Sequence, residues 1–78
     1  MHIKITIDDG FVKIDVSVNR LQKIKDALEI IAETGIIRFD TSASGAKSLR
    51  NHRYLDLDAS FAENAIFDGD ILQINYGN

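Results

Sequence analysis

The sequence predicts an α+β fold around one core, and three observations carry that prediction. Residues 2–8 and 12–18 alternate apolar with polar side chains across an Asp9-Gly10 turn, the pattern of a hairpin buried on one face. Leu21, Ile24, Ala27, Leu28 and Ile31 recur at three- and four-residue spacing, as on the buried stripe of a helix. The stretch from Ser60 to Ile74 then gives a short helical turn, an acidic glycine turn and a last alternating strand.

Within the hairpin, Ile3, Ile5 and Ile7 face one way and Lys4, Thr6 and Asp8 the other. The returning strand sets Val12, Ile14, Val16 and Val18 against Lys13, Asp15 and Ser17. Phe11 is out of phase beside the turn, where it is expected to pack the hairpin end. Asn19 is a helix N-cap candidate, and Gly35 stands where a left-handed cap stops a helix, so the helix is expected from about Arg20 to Thr34. Ile30 lies off its stripe. Ile36 to Phe39 could pair as a strand, but Thr41 to Gly45 is loop-like, and the stretch from Ile36 to Gly45 is expected as an extended connection with a mobile tip. Short strands are expected at Ala46–Arg50 and Arg53–Leu57. Ser60 with Glu63 forms a capping-box pattern opening one helical turn to Ala65. Asp68-Gly69-Asp70 turns the chain into a strand carrying Leu72 and Ile74, and Tyr76-Gly77-Asn78 is a short tail.

A chain of 78 residues has room for one core only, and a single domain is expected across 1–78. With 45% apolar and 27% charged residues it is too apolar for intrinsic disorder. The lack of cysteine removes disulfides and thiolate metal sites. No run approaches the roughly 18 apolar residues of a membrane span, and Met1-His2-Ile3-Lys4 leads directly into alternation with no signal-peptide core. A cytoplasmic location without membrane insertion is therefore expected. A net charge of -3 opposes binding to phosphate backbones, so nucleic acid is not an expected partner.

Hairpin, long helix, two short strands, one helical turn and a final strand is an order that resembles the β-grasp, or ubiquitin-like, fold. The first and last strands are then expected to pair in parallel at the sheet centre. Within that fold the chain resembles the YukD/EsaB group, small ubiquitin-like proteins of type VII secretion loci in Gram-positive bacteria. The residues carrying the likeness are Ile3 to Ile7, Leu21 to Ile31, Tyr54-Leu55-Asp56, Phe61-Ala62-Glu63-Asn64-Ala65-Ile66 and Asp68-Gly69-Asp70-Ile71-Leu72. The resemblance implies a non-catalytic accessory or regulatory factor that binds a protein of the secretion machine. Conjugated ubiquitins and sulfur carriers end in Gly-Gly; here the last residues are Gly77-Asn78, which sets a carboxyl-activated carrier or modifier behind that reading as the alternative, beside a generic β-grasp interaction module. Ubiquitin is also read through an apolar patch on the open sheet face. If Ile3, Ile5, Ile7, Ile14, Val16, Leu72 and Ile74 face the helix, the outward positions here are Lys4, Thr6, Lys13, Asp15, Gln73 and Asn75, a polar surface.

The residues suggest little chemistry. Asp8/Asp9, Asp56/Asp58 and Asp68/Asp70 fall at turns, where aspartate hydrogen-bonds its own backbone. His2 and His52 lie in no zinc-ligand spacing, and no serine sits in a nucleophile elbow. No catalytic residue, metal, cofactor or small-molecule substrate is expected, and the protein is expected as a monomer or weak dimer. The strongest candidate is a basic stretch, Arg38, Lys47, Arg50 and Arg53, joined by Leu49 and Tyr54. Such a stretch is either a solvated face or a docking edge for an acidic protein surface, since arginine grips carboxylates with a two-pronged geometry.

Overall fold

Alternation in the first eighteen residues becomes two full strands, β1 (His2–Asp8) and β2 (Lys13–Asn19), in the computed structural model, which describes residues 1–40, 42 and 44–76, with backbone alone at 75 and 76. They pair antiparallel with Ile5 opposite Val16. One helix, α1 (Ile24–Ala32), follows, then β3 (Ser44–Ser48), the two-residue β4 (Arg53–Tyr54) and β5 (Ile71–Tyr76). The five strands form one sheet in the order β2-β1-β5-β3-β4. Strands β1 and β5 run parallel with Ile7 beside Leu72, as expected for the β-grasp. Of the loop and tail positions discussed above, Thr41, Ala43, Gly77 and Asn78 lie outside the described residues.

The helix begins later than its apolar spacing predicts, and Asn19 does not cap it. The Asn19 side chain instead accepts the Leu21 amide at 3.0 Å, and Leu21 is 69% exposed rather than part of the buried stripe. The cause is long-range pairing. The amides of Ile24 and Lys25 donate to the carbonyls of Ala59 and Leu57, while those of Phe61 and Ala62 donate to the carbonyls of Gln22 and Arg20. Backbone from the far end of the chain thus satisfies first-turn donors that a side chain would otherwise cap, and it holds residues 20–23 out of helical geometry. At the other end Gly35 takes the expected left-handed conformation, at φ 81°, and its amide donates to Ala32, but the helix itself ends at Ala32, two residues before the expected Thr34, with Glu33 as its cap.

Ile24, Ala27 and Leu28 of α1 are buried in one cluster with Ile3, Ile5, Ile7, Leu72 and Ile74 of the sheet. Ile14 and Val16 face the same way yet stay half-buried, because β2 is an edge strand. Ile36 to Phe39 forms no strand: Ile37 is buried, and the Arg38 amide donates to Oδ2 of Asp9 at 2.9 Å, so a side chain provides what a partner strand would have. Of the expected strand Arg53–Leu57 only Arg53–Tyr54 is strand, with the Leu55 amide still donating to Ala46 at 2.9 Å, and β3 starts two residues before the expected Ala46. The capping box is present, with Ser60 N–H donating to Glu63 at 2.9 Å and Glu63 N–H donating to Ser60 Oγ at 3.0 Å. Ala65 ends that turn at φ 59°.

Asp9 shows how a turn residue becomes a core residue. It is 5% exposed, and its Oδ1 accepts the amides of Phe11 and Val12 at 2.9 Å each. The Val12 amide above all, then those of Phe11 and Arg38 with the Arg38 charge, hold its carboxyl below the ordinary carboxylate value, against the opposing effect of burial. A carboxylate with a folded pKa below its unfolded one adds stability that is complete above about pH 4 and is lost as pH falls through the folded value. Urea midpoints are therefore expected to decline on acidification below about pH 4. Asp9→Asn is expected to flatten that decline and to lower neutral-pH stability by about 1–2 kcal/mol; parallel acid profiles for the two proteins would contradict this role.

Candidate functional site

Strand alternation divides the sheet into a helix-covered face and an open one. Ala46 and Ser48 are buried, so Lys47 between them lies on the open face. Tyr54 is its partner across β3 and β4, and the Lys47 ammonium stands 5.9 Å from the centre of the Tyr54 ring, within the range of a cation–π contact. Gln73 is the partner of Lys47 on the β5 side. Leu49 continues the ladder one residue past β3, its amide donating to Ile71 at 2.9 Å. Leu49 and Ile71 are both half-buried, and their positions in the alternation place them outward, so Leu49 and its neighbour Ile71, an apolar strip which the outward positions read from the sequence did not include, interrupt an otherwise polar face.

The six candidate residues do not form one basic patch. Lys47, Tyr54 and Leu49 share the open face. Arg38 lies at the hairpin end, its guanidinium 4.4 Å from the centre of the Phe11 ring, so Phe11 packs that end through an arginine while remaining 73% exposed. Arg50 and Arg53 brace the backbone. Arg50 donates to the Asp68 carbonyl at 3.1 Å, and its guanidinium lies 3.2 Å from where a side chain on Gly69 would begin. Arg53 donates to the Asn64 carbonyl at 2.6 Å. Charge reversal at these two arginines would perturb the frame along with any docking, whereas Lys47 and Tyr54 report on docking more directly.

The acidic pairs serve as frame. Asp56 accepts the Asp58 amide, and Asp68 accepts the amide of Lys4 in β1 at 2.7 Å. Asp70 is 1% exposed; it accepts the Ser48 hydroxyl at 2.7 Å and the amides of Arg50 and Ile71, tying the start of β5 to the end of β3. Lys25 pairs with Asp58 at 3.0 Å, which raises the lysine pKa, but both groups lie at the surface, where such pairs contribute little. Among the described residues no three or more His, Cys, Asp or Glu side chains gather as a metal site, and no helix is long and apolar enough to cross a membrane.

Topology and open face together define a ubiquitin-like β-grasp. Three solved structures illustrate the likeness. The ubiquitin-like domain of an Arabidopsis thaliana protein superposes with a TM-score of 0.76 at 15% identity, over 99% of this chain and 79% of that one. Ubiquitin of Caldiarchaeum subterraneum gives 0.75 at 15% identity, over 100% and 96%. The ubiquitin-like domain of the Mycobacterium tuberculosis type VII secretion system protein EccD1 gives 0.62 at 18% identity, over 95% and 97%. At these identities the likeness is one of fold. No protein-family model matches the sequence, and no curated protein matches it.

Proposed function

We propose that this protein is a non-catalytic, non-conjugated accessory or regulatory component of a bacterial type VII secretion system, of the YukD/EsaB kind, acting in the cytoplasm through protein–protein contact. The observation that carries a binding role is the Lys47–Tyr54 pair on the open face. It joins a cation to an aromatic surface 67% exposed, beside the Leu49/Ile71 strip, and a rigid aromatic next to a charge is the composition of an interaction hot spot. The secretion assignment is supported by the sequence likeness given above and by the whole-length match to a ubiquitin-like domain of a type VII secretion protein. The Lys47 ammonium favours a partner surface with carboxylates.

Deletion of the gene in a bacterium carrying such a locus is expected to abolish export of its substrates, with wild-type protein restoring it. Lys47→Glu combined with Tyr54→Ala is expected to fold, since Tyr54 is exposed and Lys47 half-buried on the open face, at a cost of about 1 kcal/mol, and to fail in restoring export. Full export from the double variant would remove this surface; normal export in the deletion would remove the secretion reading.

A further inference from the structure

The two edges of the sheet are built differently. Strand β4 is an edge of two residues, whereas β2 is an edge of seven with no proline and no charged side chain turned toward the core. Short or interrupted edges resist pairing with another chain, and long regular ones invite it. The hydrogen-bonding phase of β2 follows from its neighbour. The Thr6 amide donates to Asp70 and the Lys4 carbonyl accepts from Gly69, so the even residues of β1 turn toward β5 and the odd ones toward β2. Ile14, Val16 and Val18 oppose Ile7, Ile5 and Ile3 and spend their main-chain groups there. Lys13, Asp15 and Ser17 therefore direct N–H and C=O outward. Beside this edge, between β2 and α1, runs a groove of about 410 Å³ whose lining is mixed: Val16, Ala27, Ile30 and Ile31 on its apolar side, with His2 and Gln22 among its polar residues, and Ile30 is 58% exposed.

We propose that a second copy of this chain occupies the β2 edge, pairing antiparallel about a two-fold axis at Val16. In that register Asp15 of each copy lies opposite Ser17 of the other, and these are the residues whose main-chain groups point outward, so each such pair exchanges both of its hydrogen bonds. Lys13 meets Asn19, and no like charges oppose each other. Shifting the register one way sets Asp15 against Asp15; shifting it the other way carries Lys13 past the end of the strand. The two sheets become continuous, both helices lie on the same face, and the half-buried Val16 side chains meet at the seam beneath the Ile30 of each copy. One self-complementary patch thus takes up the free strand and the exposed Ile30 side of the groove together.

Substitution at Ser17, an exposed position, tests the pairing with opposite signs. Ser17→Lys places an ammonium opposite Asp15 of the other copy at both symmetric sites, and Ser17→Asp places a carboxylate there. Dimer dissociation constants from sedimentation equilibrium are expected to shift by roughly fivefold in each direction, tighter for Ser17→Lys and weaker for Ser17→Asp. Within one chain Ser17 faces Lys4, so the effect on folding runs in the opposite sense and cannot imitate the result. In NMR spectra of the unmodified protein, concentration-dependent shifts are expected at residues 13–19 and at Ile30. Monomer mass for the unmodified protein and for Ser17→Lys across about a hundredfold concentration range would overturn the proposal, as would a dimer indifferent to both substitutions. Export restored by the Lys47/Tyr54 double variant reads a different face, and the dimer measurements need no secretion locus, so the two proposals fail separately.

Discussion

Phe61→Ala is expected to destabilise the protein by about 4 kcal/mol, the cost of removing a buried ring and leaving its cavity. Phe61 is wholly buried in the cluster that includes Ile24, Leu28 and Ile66. Its backbone also holds the turn: the amide donates to Gln22 at 3.3 Å, and the carbonyl accepts from Ile66 at 2.9 Å. The surrounding backbone is thereby pinned on both sides of the residue, which limits collapse into the space left behind. A domain of this length has a total stability of about 4–12 kcal/mol, so this one truncation removes at least a third of it. Phe61→Leu, which keeps most of the volume, is expected to lose less than half as much. Urea denaturation monitored by circular dichroism measures both; a loss under about 1 kcal/mol for Phe61→Ala would mean that the ring is not a core element.

Elements set by local pattern were readable from residue order alone. Alternation in β1 and β2, the Asp9-Gly10 turn, the Ser60/Glu63 capping box and the Gly35 stop each depend on neighbours within a few positions, and each is present. What local pattern misjudged was decided by distant backbone. Apolar spacing placed Leu21 in the helix, but residues 57–62 claim the backbone of residues 20–25, and no periodicity encodes that competition. The connection after the helix runs without a strand at Ile36–Phe39, as expected, but what anchors it, the Asp9 carboxylate 29 residues from Arg38, has no signal in the local pattern. The candidate site divided for the same reason. Residue type identified Arg50 and Arg53 as cations, but their carbonyl partners at Asp68 and Asn64 exist only once the 60s turn packs against β3 and β4. The pairing of Lys47 with Tyr54 required a register that two short strands do not specify.

Asn64→Asp is expected to cost about 3 kcal/mol at neutral pH, although the two side chains have almost the same shape. Asn64 is 6% exposed, and its amide group is fully used. Its Oδ1 accepts the Asp56 amide at 2.9 Å, while Nδ2 donates to the carbonyls of Asp56 at 2.9 Å and Ser60 at 2.8 Å. An ionised carboxylate keeps only the first of these bonds and turns an acceptor toward two carbonyl oxygens, with no donor to offer. The same residue's carbonyl receives the Arg53 guanidinium, so a displaced 60s turn would carry β4 and Tyr54 with it. Protonation restores one donor, which raises the folded pKa of the introduced carboxyl above its unfolded value. Relative to Asn64, the variant then recovers stability as pH falls through that raised value. Asn64→Ala is expected to lose about 2 kcal/mol with no such recovery. Denaturation profiles of the two variants from neutral pH to about pH 5, above the range in which Asp9 protonates, separate a lost donor from lost packing. Parallel profiles would show that the amide's two donated bonds are not what joins the 60s turn to the strand bearing Tyr54.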